Sequence, residues 1–106
     1  MQEKFDVIIV GAGPGGLATA QILAQGGARV LVLERKNTVG RKVCAGGITW
    51  EGLIRKVPKN LIERTFPVQH IYSNWQKVTY RRKDPVIATV NRERLGRWMM
   101  GQAVDA

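Results

Sequence analysis

The stretch "DVIIVGAGPGGLATAQILAQGGARVLVLER", residues 6–35, decides the fold. Residues 5–10 are largely β-branched, which is typical of a strand buried on both faces of a parallel sheet. Apolar residues then recur at helical spacing until a glycine pair at 26–27, which predicts the end of a helix. Residues 29–33 predict a second buried strand. Strand, glycine turn, helix and strand in this order predict a βαβ unit with a right-handed crossover.

The turn between the first strand and the helix contains four glycines: Gly11, Gly13, Gly15 and Gly16. They contain the pattern G-x-G-x-x-G, in which Gly11 permits a sharp turn, Gly13 admits a pyrophosphate and Gly16 permits close helix–sheet packing. Glu34 ends the second strand, where it can accept hydrogen bonds from a ribose hydroxyl and disfavours a 2′-phosphate. The pattern therefore predicts a dinucleotide, with its pyrophosphate at the helix N-terminus.

The rest of the chain has weaker patterns. Residues 36–48 are rich in Gly, Lys and Arg and predict a loop. A short helix is predicted from Thr49 to Arg55, followed by one or two helical turns over residues 60–66. Thr49 is the predicted cap of the first of these segments, and Pro58 separates it from the second.

Residues 67–73 and 76–82 alternate between apolar and polar side chains, and residues 85–90 form a third candidate strand, so an antiparallel meander is predicted. Asn91 is a good N-cap for a final helix, whose apolar residues between 95 and 103 share one face. The predicted fold class is α/β: a Rossmann-like nucleotide-binding domain with a parallel βαβ sheet plus an antiparallel meander. It is incomplete, because a doubly wound sheet needs more strands.

The formal charge of +9 suits anionic partners, but the basic residues are spread over several loops. The segment "KVTYRRK", residues 77–83, has the composition of a nucleic-acid-binding strand, yet no binding module accompanies it, so no nucleic-acid partner is expected. His70 lacks neighbours at metal-ligand spacing, so no metal is expected. One cysteine, Cys44, and the lack of a signal peptide or membrane-span pattern favour a cytoplasmic protein.

Beyond these patterns, the chain resembles the N-terminal region of FAD-dependent oxidoreductases, and more specifically the geranylgeranyl reductase family. The pair Glu34-Arg35 and the later Gly40 are shared with the wider FAD group. The segment "VCAGGI", residues 43–48, and the segment "VNRERLGRWMMGQA", residues 90–103, carry the closer resemblance. It implies that residues 1–106 are the N-terminal part of an FAD-binding domain, with the substrate domain outside this chain.

The resemblance also implies a set of cofactor contacts with FAD. The ADP half would meet the glycine turn and the end of the second strand, the loop around the cysteine would border the isoalloxazine, and an arginine would reach the middle of the cofactor. Cys44 is the one catalytic candidate, the alternative being a small buried hydrophobe. The cofactor-binding residues expected in this way are Gly11, Gly13, Gly15, Gly16, Glu34, Arg35, Cys44, Ala45, Gly47 and Arg92.

The activity that the resemblance implies is saturation of polyprenyl (geranylgeranyl) C=C bonds, by hydride transfer from reduced flavin to an alkene carbon. The implied partners are an isoprenoid or other small-molecule substrate and an external electron donor, either NADPH or ferredoxin. A peripheral membrane contact is a further option. Two alternatives remain open: a flavin-dependent aromatic hydroxylase of related fold, and a non-catalytic nucleotide-binding fragment. The isolated chain is expected to be inactive.

Overall fold

The structure is a computed structural model of the chain and describes residues 2–41, 44–49, 51, 54 and 56–106. The chain divides into two compact units. The first comprises Met1–Lys42 together with Arg92–Ala106, and the second comprises Val43–Asn91.

The first unit contains the predicted βαβ arrangement, which is confirmed. Strands β1 (Val7–Val10) and β2 (Val30–Leu33) pair in parallel, and helix α1 (Pro14–Gln25) connects them. Helix α2 (Arg92–Val104) begins directly after Asn91, as predicted, and packs on α1.

Helix α1 begins and ends where its sequence dictates. Pro14 occupies the first helical turn, where its missing N–H costs no hydrogen bond. The helix stops at Gly26, and Gly27 follows with a φ of +90°, a conformation that favours glycine. Leu17 and Ala20 are the buried residues of this helix. Full burial of a leucine side chain contributes about 1.5–3 kcal/mol, so this face fixes the helix on the sheet.

The prediction for the first strand was wrong in two respects. The strand begins at Val7 rather than at Phe5. It is not buried on both faces, because Ile8 and Val10 are 59% and 84% exposed. Helix α1 packs on β1 and β2, and alternate side chains of a strand point to opposite faces. One face of the pair is therefore half-buried, whereas on the other face Ile8, Val10 and Leu33 are exposed and Leu31 is half-buried.

The second unit is built from antiparallel strands: β3 (Gly47–Thr49), β4 (Ile62–Phe66), β5 (Val68–Tyr72), β6 (Lys77–Arg81) and β7 (Ile87–Val90). A short 3₁₀ turn, Lys59–Leu61, precedes β4. Strand β7 lies between β3 and β4, whereas β5 and β6 form a separate hairpin. The predicted strands at 67–73, 76–82 and 85–90 are confirmed, but their arrangement is not a simple meander.

Two further predictions in this unit need correction. The predicted loop at 36–48 ends in β3, and the predicted helical turns at 60–66 form only the 3₁₀ turn before β4. Both strands pair with β7, and this tertiary pairing overrides the weak local preference. The predicted helix of residues 49–55 starts at a residue that belongs to β3, and its residues 50, 52, 53 and 55 lie outside the described residues.

The core of the second unit lies around its central strand. Ala88 and Val90 of β7 are buried, and so are Ile54, Val57 and Leu61. Within the described ranges, no helix has the length and apolar content needed to cross a membrane.

Candidate functional site

The glycine turn leaves β1 through a conformation that favours glycine. Gly11 has a φ of +104°, in the left-handed region, and its N–H donates to the Leu33 carbonyl oxygen at 2.7 Å. The turn is thus anchored to the end of β2. This hydrogen bond places the start of α1 beside the carboxyl end of both strands, where nucleotides bind in open α/β sheets.

The next part of the turn is open. No heavy atom lies within 4 Å of a Cβ built on Gly13 or on Gly15. Gly13 is the N-cap of α1, and in this described segment the first turn has neither a side-chain cap nor an acidic residue. The N–H groups and positive dipole end of a helix attract an anion. The turn therefore offers a cradle that a Cβ at Gly13 would fill, and its donors fit a pyrophosphate.

Gly16 has the opposite surroundings. A Cβ built there would lie 2.1 Å from the Gly11 carbonyl oxygen and 3.4 Å from Ile9 Cγ2. The missing side chain allows α1 to approach the backbone of the turn and the sheet, which is the packing role predicted for the third glycine of the motif.

Glu34 is tied to the glycine turn. Its Oε2 accepts a hydrogen bond from the Ala12 N–H at 2.7 Å, and its Oε1 accepts one from the Lys36 N–H at 3.3 Å. The bond from Ala12, followed by that from Lys36, holds the pKa of the Glu34 carboxyl below its ordinary value of 4.5. The group is thus an anion at neutral pH. The sequence pattern predicted a ribose acceptor here but gave no sign of the contact with Ala12.

A groove of about 580 Å³ adjoins this acid in the first unit. Its walls are mostly apolar side chains of α1, β2 and α2. The polar residues that line it are Glu34, Lys36 and Asn37, so its polarity is concentrated near the end of β2.

The loop that follows β2 lies against the start of α2. Gly40 has a φ of +82°, and a Cβ on it would lie 2.1 Å from the Arg92 carbonyl oxygen. A Cβ on Gly96 would lie 2.9 Å from the Gly40 backbone. Arg41 Nε also lies 3.6 Å from Glu93 Oε2. These contacts fix the backbone of Arg92 next to the loop that begins at Glu34. The predicted contact of the arginine side chain with a cofactor stays a prediction.

The remaining predicted site residues lie apart from the turn in the chain. Arg35 is exposed and follows Glu34, two residues after the end of β2. Cys44, Ala45 and Gly47 belong to the second unit, so their placement beside a flavin stays a prediction. Cys44 is exposed among the described residues, and its role stays a prediction.

Sequence reasoning missed the glycine that shapes this loop. Gly46 has a φ of +75°, and a Cβ on it would lie 2.2 Å from the Val90 carbonyl oxygen. Its N–H donates to Cys44 Sγ at 3.4 Å, and its own carbonyl oxygen accepts from the Val90 N–H at 2.9 Å. The double glycine in "VCAGGI" was the available signal, but only the structure shows which glycine needs the left-handed conformation.

A metal centre has no support in the part of the chain that the structure describes, where no group of three or more His, Cys, Asp or Glu side chains could hold an ion. His70 Nδ1 instead lies 3.1 Å from Thr79 Oγ1 on the neighbouring strand.

Comparison with known proteins gives several relatives. The chain is 39% identical over 85 residues to a thiamine thiazole synthase of Aeropyrum pernix, covering 80% of this chain and 31% of the relative. It is 51% identical over 51 residues to digeranylgeranylglycerophospholipid reductase 2 of Methanopyrus kandleri, covering 47% of this chain and 13% of the relative. It is 49% identical over 57 residues to protein FixC of Azotobacter vinelandii, covering 54% of this chain and 13% of the relative.

Solved structures share the fold. A geranylgeranyl bacteriochlorophyll reductase-like protein of Thermoplasma acidophilum matches with a TM-score of 0.84 and 23% identity, over 97% of this chain and 28% of that protein. The myxobacterial chondrochloren halogenase, a variant of FAD-dependent halogenases, matches with a TM-score of 0.74 and 22% identity, over 98% and 27%. The predicted α/β fold class is therefore confirmed. The predicted resemblance to geranylgeranyl reductases is confirmed by the sequence relatives, which include a reductase of that name.

The chain spans less than a third of the length of these relatives. Residues 2–92, most of the chain, match the Thi4 family. Given this match, the chain belongs to the Thi4 family.

Proposed function

We propose that this chain is the ADP-binding part of an FAD-dependent oxidoreductase of the geranylgeranyl reductase type. The observation that carries the proposal is the open, uncapped start of α1 at Gly13, next to the ionised Glu34. A site with donors for a pyrophosphate and an acceptor for a ribose suits the adenosine diphosphate that FAD contains.

Each residue of the turn has a separate task in this proposal. Gly13 lets the backbone approach the pyrophosphate, while the N–H groups of Gly15 and Gly16 donate to it. Glu34 has already accepted the Ala12 N–H, and its remaining lone pairs accept from a ribose hydroxyl. Arg92 is the first residue of α2, and its backbone lies against Gly40. Its side chain would meet the middle of the cofactor. When bound, FAD supplies the hydride chemistry, and the protein orients it and excludes water.

The reductase type is supported by sequence rather than by the geometry of the turn. The "VCAGGI" loop resembles the geranylgeranyl reductases, and a digeranylgeranylglycerophospholipid reductase is among the relatives. An isoprenoid substrate and an external donor, NADPH or ferredoxin, follow from this assignment. The exposed Cys44 would border the reacting face of the flavin, together with Ala45 and Gly47.

A second candidate is an activity of the thiamine thiazole synthase type. The match to the relative of that name extends over 80% of this chain, which is more than the reductase match covers. Purified full-length protein distinguishes the two. Saturation of a geranylgeranyl lipid supports the reductase, whereas formation of a thiazole without alkene reduction supports the synthase.

The cofactor site itself is tested by Gly13→Val. No protein atom lies within 4 Å of the Gly13 Cβ position, so the variant should fold and yet lose FAD, because its side chain fills the cradle. The control is Gly101→Val, another substitution into open space, which should retain FAD. Bound flavin is measured by absorbance and folding by circular dichroism. Stoichiometric FAD in folded Gly13→Val protein would contradict the proposed site.

A further inference from the structure

The β5–β6 hairpin presents its tip to solvent. The tip tryptophan, Trp75, is 93% exposed. The turn beneath it is ordered by Ser73, whose N–H donates to the Gln76 carbonyl oxygen at 2.7 Å. The Ser73 hydroxyl oxygen also accepts the N–H of Gln76 at 3.0 Å. A large aromatic side chain is thus held at the end of a hydrogen-bonded hairpin, and none of the described residues covers it.

The strand register gives the hairpin an apolar face. Ile71 pairs with Val78, and Gln69 pairs with Tyr80. Because alternate residues of a strand point to opposite faces, these four share one side of the hairpin. The three apolar members, Ile71, Val78 and Tyr80, are 62%, 51% and 48% exposed. Exposed apolar groups that adjoin one another on one face commonly mark an interaction surface.

The other face is basic and aromatic. There Lys77 pairs with Tyr72, and Arg81 pairs with Val68. Lys77 Nζ lies 5.4 Å from the centre of the Tyr72 ring. Residues 68–84 contain four cations, Lys77, Arg81, Arg82 and Lys83, against one acid, Asp84. The hairpin therefore combines an apolar face, an aromatic tip and a net positive charge.

We propose that this hairpin docks on the surface of an anionic lipid bilayer. Tryptophan and tyrosine favour the boundary between headgroups and acyl chains, because one part of each ring system is apolar and another is polar. The apolar face would enter that boundary, and the long side chains of Lys77 and Arg81, which lie on the opposite face, would extend around the edges of the hairpin to the phosphates. The hairpin is a separate two-stranded sheet, so hydrogen bonds between β5 and β6 satisfy about half of its backbone groups, and the groups on its two open edges would stay at the level of the hydrated headgroups.

Charge and register favour a membrane over single-stranded nucleic acid. A nucleic-acid site combines basic groups that follow the backbone with rings on which bases stack. Here the face formed by Ile71, Val78 and Tyr80 contains no cation, and aliphatic groups make up most of it. This surface belongs to the second unit and does not depend on the proposed reaction.

The test is co-sedimentation of the full chain with vesicles of phosphatidylcholine containing about 30% phosphatidylserine, against vesicles of phosphatidylcholine alone. We expect preferential binding to the anionic vesicles. The double variant Lys77→Gln/Arg81→Gln should weaken binding by about 25-fold, since each cation near such a surface contributes about fivefold. Trp75→Ser should weaken it by about tenfold or more, because a large apolar side chain leaves the membrane boundary.

Two control variants test whether weaker vesicle binding is specific to the hairpin or follows from any loss of charge or of exposed apolar surface. Lys56→Gln/Lys59→Gln removes the same charge from exposed sites of the same unit, and Ile22→Ser removes an apolar side chain that is 69% exposed. Both should bind nearly as well as the parent protein, and circular dichroism should show every variant folded. If the controls lose as much affinity as the hairpin variants, the hairpin is not the docking surface.

Two other results would also overturn the proposal. One is binding of a fluorescent oligothymidine that depends on Trp75 and competes with vesicles, which would assign the hairpin to nucleic acid. The other is the absence of any binding to anionic vesicles, with the hairpin resistant to proteolysis in the full-length protein, which would mean that another part of that protein covers it.

Discussion

Gly16→Ala should destabilise the protein far more than Gly15→Ala, although both glycines lie in the first turn of α1. A Cβ at Gly16 would lie 2.1 Å from the Gly11 carbonyl oxygen, and ordinary contact begins at 3.4 Å. The backbone would have to move by about 1.3 Å to accept the methyl group. Gly11 cannot yield easily, because its φ of +104° and its hydrogen bond to the Leu33 carbonyl oxygen define the turn.

The expected loss in the free energy of unfolding for Gly16→Ala follows from two opposing effects. Overpacking typically costs about 1–3 kcal/mol, and a clash with anchored backbone belongs at the upper end. Alanine in a helix gains about 0.8–1 kcal/mol over glycine, which offsets part of that cost in Gly16→Ala. The net loss is about 2 kcal/mol. Gly15→Ala meets no atom within 4 Å and should gain up to about 1 kcal/mol. The two variants should therefore differ by about 3 kcal/mol in the free energy of unfolding.

The measurement is urea unfolding of FAD-free protein, followed by circular dichroism, with Tm as a second readout. For a domain of this size 1 kcal/mol shifts Tm by about 4–8 °C, so the variants should melt at least about 12 °C apart. Equal stability of the two variants would refute the close approach of α1 to the turn. A large loss in Gly15→Ala would refute the open cradle.

Three further predictions follow from other contacts. Gly40→Ala should lose about 2–4 kcal/mol, because a left-handed conformation and a clash with the Arg92 carbonyl oxygen add together, whereas Gly101→Ala should be neutral or stabilising in the same urea titration. Because the pKa of Glu34 is lower in the folded protein, this residue stabilises the fold fully above its ordinary pKa, and the stabilisation is lost as the pH falls through the pKa of the folded state. In Glu34→Gln, the free energy of unfolding should therefore depend less on pH below pH 4.5. The same pH dependence in this variant and in the parent protein would exclude the contact with Ala12. If the Cys44 loop borders the flavin, a small thiol reagent should label the exposed thiol more slowly in the FAD-loaded protein than in folded apoprotein, and equal rates would place the thiol elsewhere.

The sequence predicted those parts of the fold in which local and tertiary preferences agree. The βαβ unit has long apolar segments bounded by glycines with definite conformational roles, such as Gly11 and Gly27. Residues 62–66, by contrast, form a strand because β7 lies alongside them, and no local pattern encodes that partner. Burial of β1 was overestimated for a similar reason, since the composition of a strand does not show whether both of its faces are covered.

The candidate site was also predictable where local conformational preference determines the geometry, and not where tertiary packing does. The motif predicted the conformations of the glycine turn, because a left-handed turn and a close approach both require the absence of a side chain. The bond from the Ala12 N–H to Glu34 was not predictable, because the motif specifies an acid and a turn but not the distance between them. Likewise, the approach of Gly96 to Gly40 depends on how α2 packs, which no spacing in the sequence reveals.

The contact between Gly40 and Gly96 has a consequence for biosynthesis. The first unit consists of two separate segments, and the whole of the second unit is synthesised between them. At ~5–20 residues per second, a ribosome needs roughly 3–12 s to proceed from the end of the first segment to the end of α2. During that interval β1, α1 and β2 lack the helix that packs on α1, whereas the second unit is continuous and can fold as it emerges. The side of α1 that α2 covers in the folded protein is therefore exposed on the nascent chain for seconds, and a chaperone would have most to protect during this period.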